Sequence, residues 1–155
     1  MRYLAPAINR ICFSQPPRRG DIWFADLGSH RGTSVQGGYR PVVIVSNNIG
    51  NSHAKTLNVL PLTKHIKKQG LPCHTELYPA ALSDEHQSFD VSMILAEQIT
   101  TIDKSQLRNY AGRIGDARVM DSINISISGQ LGLNPEKNHT AGTLGKNATE
   151  EDVNG

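Results

Sequence analysis

The sequence predicts a mostly β fold with a C-terminal helix, of the α+β class, in which antiparallel strands build a barrel-like sheet. Short runs rich in β-branched and aromatic residues, bounded by Gly, Asn or Pro, follow one another between residues 20 and 115. The intervals between them are too short for helical crossovers, which argues against a parallel, doubly wound sheet. A single helical stripe follows the last of them.

The strand-like runs are GDIWFADL (20–27), RPVVIVSN (40–47), TLNVLPLT (56–63), CHTEL (73–77), SMILAEQIT (92–100) and NYAGRIG (109–115). The helix is expected over 116–131, where Asp116 is a good N-cap after Gly115 and Met120, Ile123, Ile127 and Leu131 share one face. Ile123, Ile125 and Ile127 also alternate as a strand would, but Val119 and Met120 extend only the helical stripe.

At 155 residues the chain suits one domain. Residues 1–17 end in Gln15, Pro16 and Pro17 and read as an N-terminal arm; 134–155 are polar and read as a disordered C-terminal tail; 18–133 are the expected folded unit. No internal repeat is visible. With 37% hydrophobic residues, a mean hydropathy of −0.38 and no apolar run near the ~18 residues of a membrane helix, a soluble, non-membrane protein is expected. No signal peptide is read at the N-terminus. Cys12 and Cys73 are too few for a disulfide scaffold and lack a zinc-ribbon spacing, so a reducing cytoplasm fits best.

Charge is unevenly distributed. Residues 1–75 carry ten Lys and Arg against two acidic residues, 76–133 four against eight, and 134–155 two against four. A phosphate-binding surface is therefore expected in the first half.

The sequence has no phosphate-binding loop, dinucleotide fingerprint, zincin motif or hydrolase elbow, so the corresponding chemistries have no local support. No metal or cofactor is expected. The six histidines are scattered; Cys73 and His74, adjacent in an apparent strand, should face opposite ways and so not share one metal, and for His53, His65 and His86 exposed loop histidines are the better reading, a metal site through the three being the alternative. The unusual segment is the loop GSHRGTSVQGGY (28–39). Its four glycines permit close backbone approach to a ligand, Arg31 offers a fork of donors, and Thr33, Ser34 and Gln36 offer neutral hydrogen bonds. Arg40 follows, held toward extended conformations by Pro41, at the mouth of a buried strand and beside a loop read as mobile.

In their order and spacing, RRGDIWFADLG (18–28), GGYRPVVIVSNN (37–48), VLPLT (59–63) and ILAEQITTIDKSQL (94–107) together resemble the MazF/PemK family of toxin endoribonucleases across 18–133. The resemblance implies an SH3-like β-barrel and a homodimer that cleaves single-stranded RNA, mRNA in particular, in a sequence-specific manner. It also implies inhibition by a cognate, MazE-like antitoxin whose acidic segment occupies the RNA groove, and DNA binding by the toxin–antitoxin complex.

Carried over residue by residue, the family's catalytic arginine is Arg40 and its threonine is Thr63. The implied reaction is metal-free attack of the ribose 2′-hydroxyl on the adjacent phosphorus, giving a 2′,3′-cyclic phosphate and a 5′-hydroxyl end. Glu97 aligns with an acidic position proposed as general base in some relatives; a structural role bonding loop amides is the other reading. His30 is a further candidate, although the loop histidine of some relatives falls at Thr33. RNA contacts are expected from His30, Arg31, Gly32, Thr33, Ser34, Gln36 and Gly37 in the loop, and from Lys64, His65 and Lys67 after the threonine. The chain departs from the family in lacking an acidic residue after the loop Gly32–Thr33 and in carrying Thr100 where a basic residue is common. Two alternatives are a noncatalytic RNA-binding scaffold and a gyrase-binding, toxin-like barrel.

Overall fold

The computed structural model describes residues 15–66, 70–85 and 89–133. The expected tail, most of the expected arm, Cys12, Lys67 and His86 lie outside the described residues. The chain runs β1 (Asp21–Asp26), β2 (Tyr39–Ile44), α1 (Asn48–His53), β3 (Thr56–Thr63), β4 (His74–Leu77), β5 (Leu82–Glu85), β6 (Ser92–Leu95), β7 (Thr100–Asp103), β8 (Leu107–Ile114) and α2 (Ala117–Gln130).

The strands form one sheet in the order β4-β6-β3-β2-β1-β8-β5, with β7 also paired to β3, and the pairs are antiparallel. Its terminal strands, β4 and β5, are consecutive in the chain. The steps from Leu77 to Leu82 span at most about 18 Å, whereas seven strands laid flat would set the two edges about 29 Å apart. The sheet must therefore curl, and it does so as a half-barrel.

Curling buries both faces of the central strands. Ile22, Val43, Leu60, Leu62 and Ile94 form one apolar cluster beneath α2, while Val42, Ile44, Leu57, Val59, Ile102 and Leu107 form a second on the other face. This two-sided burial is why RPVVIVSN reads as a continuous apolar run rather than an alternation. Each fully buried Val, Leu or Ile contributes about 1.5–3 kcal/mol relative to exposure.

At the N-terminus of α2, Asp116 accepts a hydrogen bond from the Arg118 amide at 2.9 Å. Val119, Met120, Ile123 and Ile127 pack on the first cluster. Ile125 is exposed, which excludes the strand reading, and Leu131 is also exposed, past the helix end, so the buried stripe is one turn shorter than expected.

Three elements differ from the sequence expectation. The run 92–100 is not one strand. Along β3, pairing with β7 ends at Val59↔Thr100 and pairing with β6 resumes at Leu62↔Ile94, so three steps on β3 face six on the partner. A 3-10 turn, Ala96–Gln98, takes up the surplus and lifts Glu97 and Gln98 out of the ladder. Strand β5, LSDE, carries no apolar alternation and was not expected. Nor was α1, whose polar sequence is set by its caps and by buried Asn51: Asn47 accepts from the Gly50 amide, and Asn51 donates to the Ser46 carbonyl at 2.8 Å.

Candidate active site

A cleft opens where β2 and β3 part. Their ladder runs only from Ile44↔Val59 to Val42↔Pro61. The next pair would set Pro41, which has no N–H, opposite Leu62. Instead the start of β2 stays with β1 through Arg40↔Ala25, and the end of β3 turns to β6 through Thr63↔Met93. The resulting cleft, about 300 Å³, is lined by Arg40, Thr63, Lys64, His65 and Asp90, with Phe24 and Pro41 supplying apolar wall.

Arg40 is extended, as a residue before proline should be. Its Nε donates to the Gly37 carbonyl at 2.8 Å and its Nη1 to the Gln36 side-chain oxygen. Those two bonds fix the guanidinium plane and leave its other N–H groups for an anion. Partial burial draws its pKa below the ordinary arginine value, so an anion in the cleft would offset that desolvation. Thr63 ends β3, and its Oγ1 accepts from the His65 amide at 3.2 Å, a bond that does not use the hydroxyl proton. Lys64 pairs with Asp90, both well exposed.

The loop between β1 and β2, read as mobile from the sequence, carries hydrogen bonds at its base and along its return arm. Gly38 N donates to the Gly28 carbonyl at 2.7 Å, and Leu27 N to the Gly38 carbonyl at 3.0 Å. At Gly37 a Cβ would lie 2.8 Å from the Gly28 carbonyl, so only glycine fits. Thr33 Oγ1 donates to the His30 carbonyl at 2.8 Å. Across the sheet, the Gln98 carbonyl oxygen accepts from Gln36 N at 3.2 Å and its NH₂ donates to the Ser34 carbonyl at 3.1 Å. Gln98 therefore latches the loop that holds Arg40, a role the sequence hides because 92–100 reads as one continuous strand. His30, Arg31, Gly32, Thr33 and Ser34 stand exposed on this loop, outside the cleft wall.

The Glu97 carboxylate also lies outside that wall and accepts from His74 Nε2 at 2.8 Å. The expectation that Cys73 and His74 face apart is corrected here. The strand begins at His74, Cys73 belongs to the preceding turn, and the two side chains meet Glu97, with one donor atom from each lying within 4.8 Å of the others. Alternation did not apply because the residue pair straddles the strand start. Burial first, then the neighbouring Glu97 carboxylate, pushes the Cys73 thiol up.

A second missed feature is Tyr39, exposed and stacked on Phe24 at 5.2 Å between ring centroids and 15° between planes. Its signal in the sequence was an aromatic residue wedged between the loop glycines and Arg40.

A fixed guanidinium, a hydroxyl whose proton no described residue accepts and a lysine around one cleft, with an exposed aromatic ring stacked on its Phe24 wall, suit a protein of the phosphodiester-handling class. Comparison with known proteins gives the family. The model of the PemK-like, MazF-like toxins of type II toxin–antitoxin systems matches residues 18–130. The chain belongs to this family. It is 38% identical over 124 residues to the endoribonuclease MazF of Staphylococcus saprophyticus, covering 80% of this chain and 98% of that protein. It is 39% identical over 116 residues to the endoribonuclease EndoA of Bacillus subtilis, covering 75% and 95%. Among solved structures, a mycobacterial endoribonuclease in complex with its cognate antitoxin aligns with a TM-score of 0.60 at 29% identity, covering 76% and 96% of the two chains. Among the described residues, no helix is long and apolar enough to cross a membrane.

Proposed function

We propose that this chain is the toxin of a toxin–antitoxin pair, an endoribonuclease that cuts single-stranded RNA, mRNA above all, without a metal, and that is inhibited by a cognate antitoxin. The observation that carries the reading is the convergence of Arg40 and Thr63 on one cleft, opened by the parting of β2 and β3. Residues 18–133 form the catalytic unit, which acts as a homodimer in the cytoplasm.

RNA brings its own nucleophile. The 2′-oxygen bonds to phosphorus, the bond from phosphorus to the 5′-oxygen breaks, and the proton lost at the 2′-hydroxyl is balanced by one gained at the leaving oxygen. Arg40, with two donors fixed and the others free, neutralises charge growing on the phosphate oxygens. Thr63 donates its free proton to a nonbridging oxygen. In this reading His65, on the cleft wall, moves a proton, whereas Glu97 acts through the turn it shares with the loop latch Gln98. Tyr39 offers a stacking face to a base beside the cleft.

The test is incubation of a long, mixed-sequence RNA with folded chain freed of antitoxin, followed by chemical mapping of new ends. Cyclic phosphate and 5′-hydroxyl ends at a restricted set of sequences support the reading. Intact RNA, or retained RNA without new ends, overturns it.

A further inference from the structure

We propose that Cys73, His74 and Glu97 form a binding site for one transition-metal ion of zinc type, separate from the cleavage cleft. The site combines a thiol, an imidazole and a carboxylate, the donor types that zinc accepts, with one atom from each within 4.8 Å of the others.

The backbone brings these donors together before any ion arrives. His74 N donates to the Leu71 carbonyl at 3.0 Å, closing the turn that carries Cys73, and Ala96 N donates to the Cys73 carbonyl at 2.9 Å, pinning the Glu97 turn against it. β4 and β6 pair through His74↔Leu95, which fixes the register of the two segments. The His74 side chain is 12% exposed and that of Glu97 31%, so the group is sheltered but still reached by solvent.

A tetrahedral zinc requires N···O of about 3.3 Å and S···N of about 3.6 Å. From the 2.8 Å His74–Glu97 contact the carboxylate would withdraw by about half an ångström. The thiolate would close by about 1.2 Å at most, from the 4.8 Å limit. The three protein ligands leave a fourth position to water. Because Glu97 shares its turn with Gln98, the ion would also stiffen the latch on the loop.

The test uses the full chain stripped with chelator and titrated with Co²⁺ alone. The expected result is a thiolate-to-cobalt charge-transfer band and tetrahedral ligand-field bands that saturate at one equivalent and are displaced by Zn²⁺. Cys73→Ser should abolish the charge-transfer band and Glu97→Gln, which removes a direct carboxylate ligand, should weaken binding by more than the roughly 10-fold that loss of a mere outer-shell partner costs, while Cys12→Ser leaves both unchanged. Metal-free melting curves of the variants, unchanged from the parent, show that folding is not the cause. Absence of the band at one equivalent, a band that survives Cys73→Ser, or one lost only with Cys12→Ser overturns the proposal.

Discussion

Two polar clusters flank β6, and their chemistry is opposite. The cleft on one side presents N–H and O–H groups from Arg40, Thr63 and Lys64. The cluster on the other gathers the metal-ligand types of Cys73, His74 and Glu97. The first suits an anion held by several donors, and the second suits a cation held by several acceptors. One short segment links them, because the 3-10 turn of Ala96–Gln98 gives Glu97 to the cation-type cluster and Gln98 to the loop above the anion-type cleft. A fold with one deep apolar core on each face of its sheet thus carries its chemistry at the places where ladders stop: the parting of β2 and β3, and the break between β6 and β7.

Substitutions that break the cleft side should cost most. Second only to removal of Arg40, Thr63→Val keeps the volume and deletes the donated proton, and single-turnover cleavage should fall on the order of 100-fold. Unfastening the link is milder. Gln98→Leu removes both loop bonds, so kcat should fall about 10-fold or more through misplacement of Arg40, with faster proteolysis in 28–38 as the structural readout.

Smaller still is the effect of Asp90, which pairs with Lys64 on the exposed rim. Asp90→Asn frees the lysine, and RNA binding should tighten by up to about fivefold at low salt and not at high salt.

An effect on stability rather than on cleavage lies away from both clusters. Tyr110 is pushed up to about 12 by burial first and then by Asp21 and Asp84. The folded state therefore keeps this proton where the unfolded chain, near 10, has released it. Its contribution to stability is full below pH 10 and is lost as pH rises to about 12, and Tyr110→Phe should flatten alkaline unfolding in that window.

Much of this was legible before the structure. The β-branched runs located seven of the eight strands in whole or part, β7 only at Thr100, since two-sided burial writes itself as apolar continuity. Asp116 and the stripe Val119, Met120, Ile123 located the helix. Arg40 and Thr63 were named from the family pattern, and the structure brings both to one cleft. What stayed hidden depends on pairing register, which no single segment encodes. The break at Ala96–Gln98 exists because β3 changes partner, so the latch by Gln98 and the meeting of Cys73 with Glu97 follow from tertiary geometry. β5 and α1 are polar segments held by neighbours and caps rather than by a hydrophobic period.

The most direct test of the central claim is single-turnover cleavage of one mapped RNA site, in chelator, by the parent chain and by Arg40→Ala with matching melting curves. The account predicts full cleavage by the parent and a loss on the order of 100-fold or more in the variant. Equal rates for the two proteins would contradict it, as would a parent that is inactive until metal is restored.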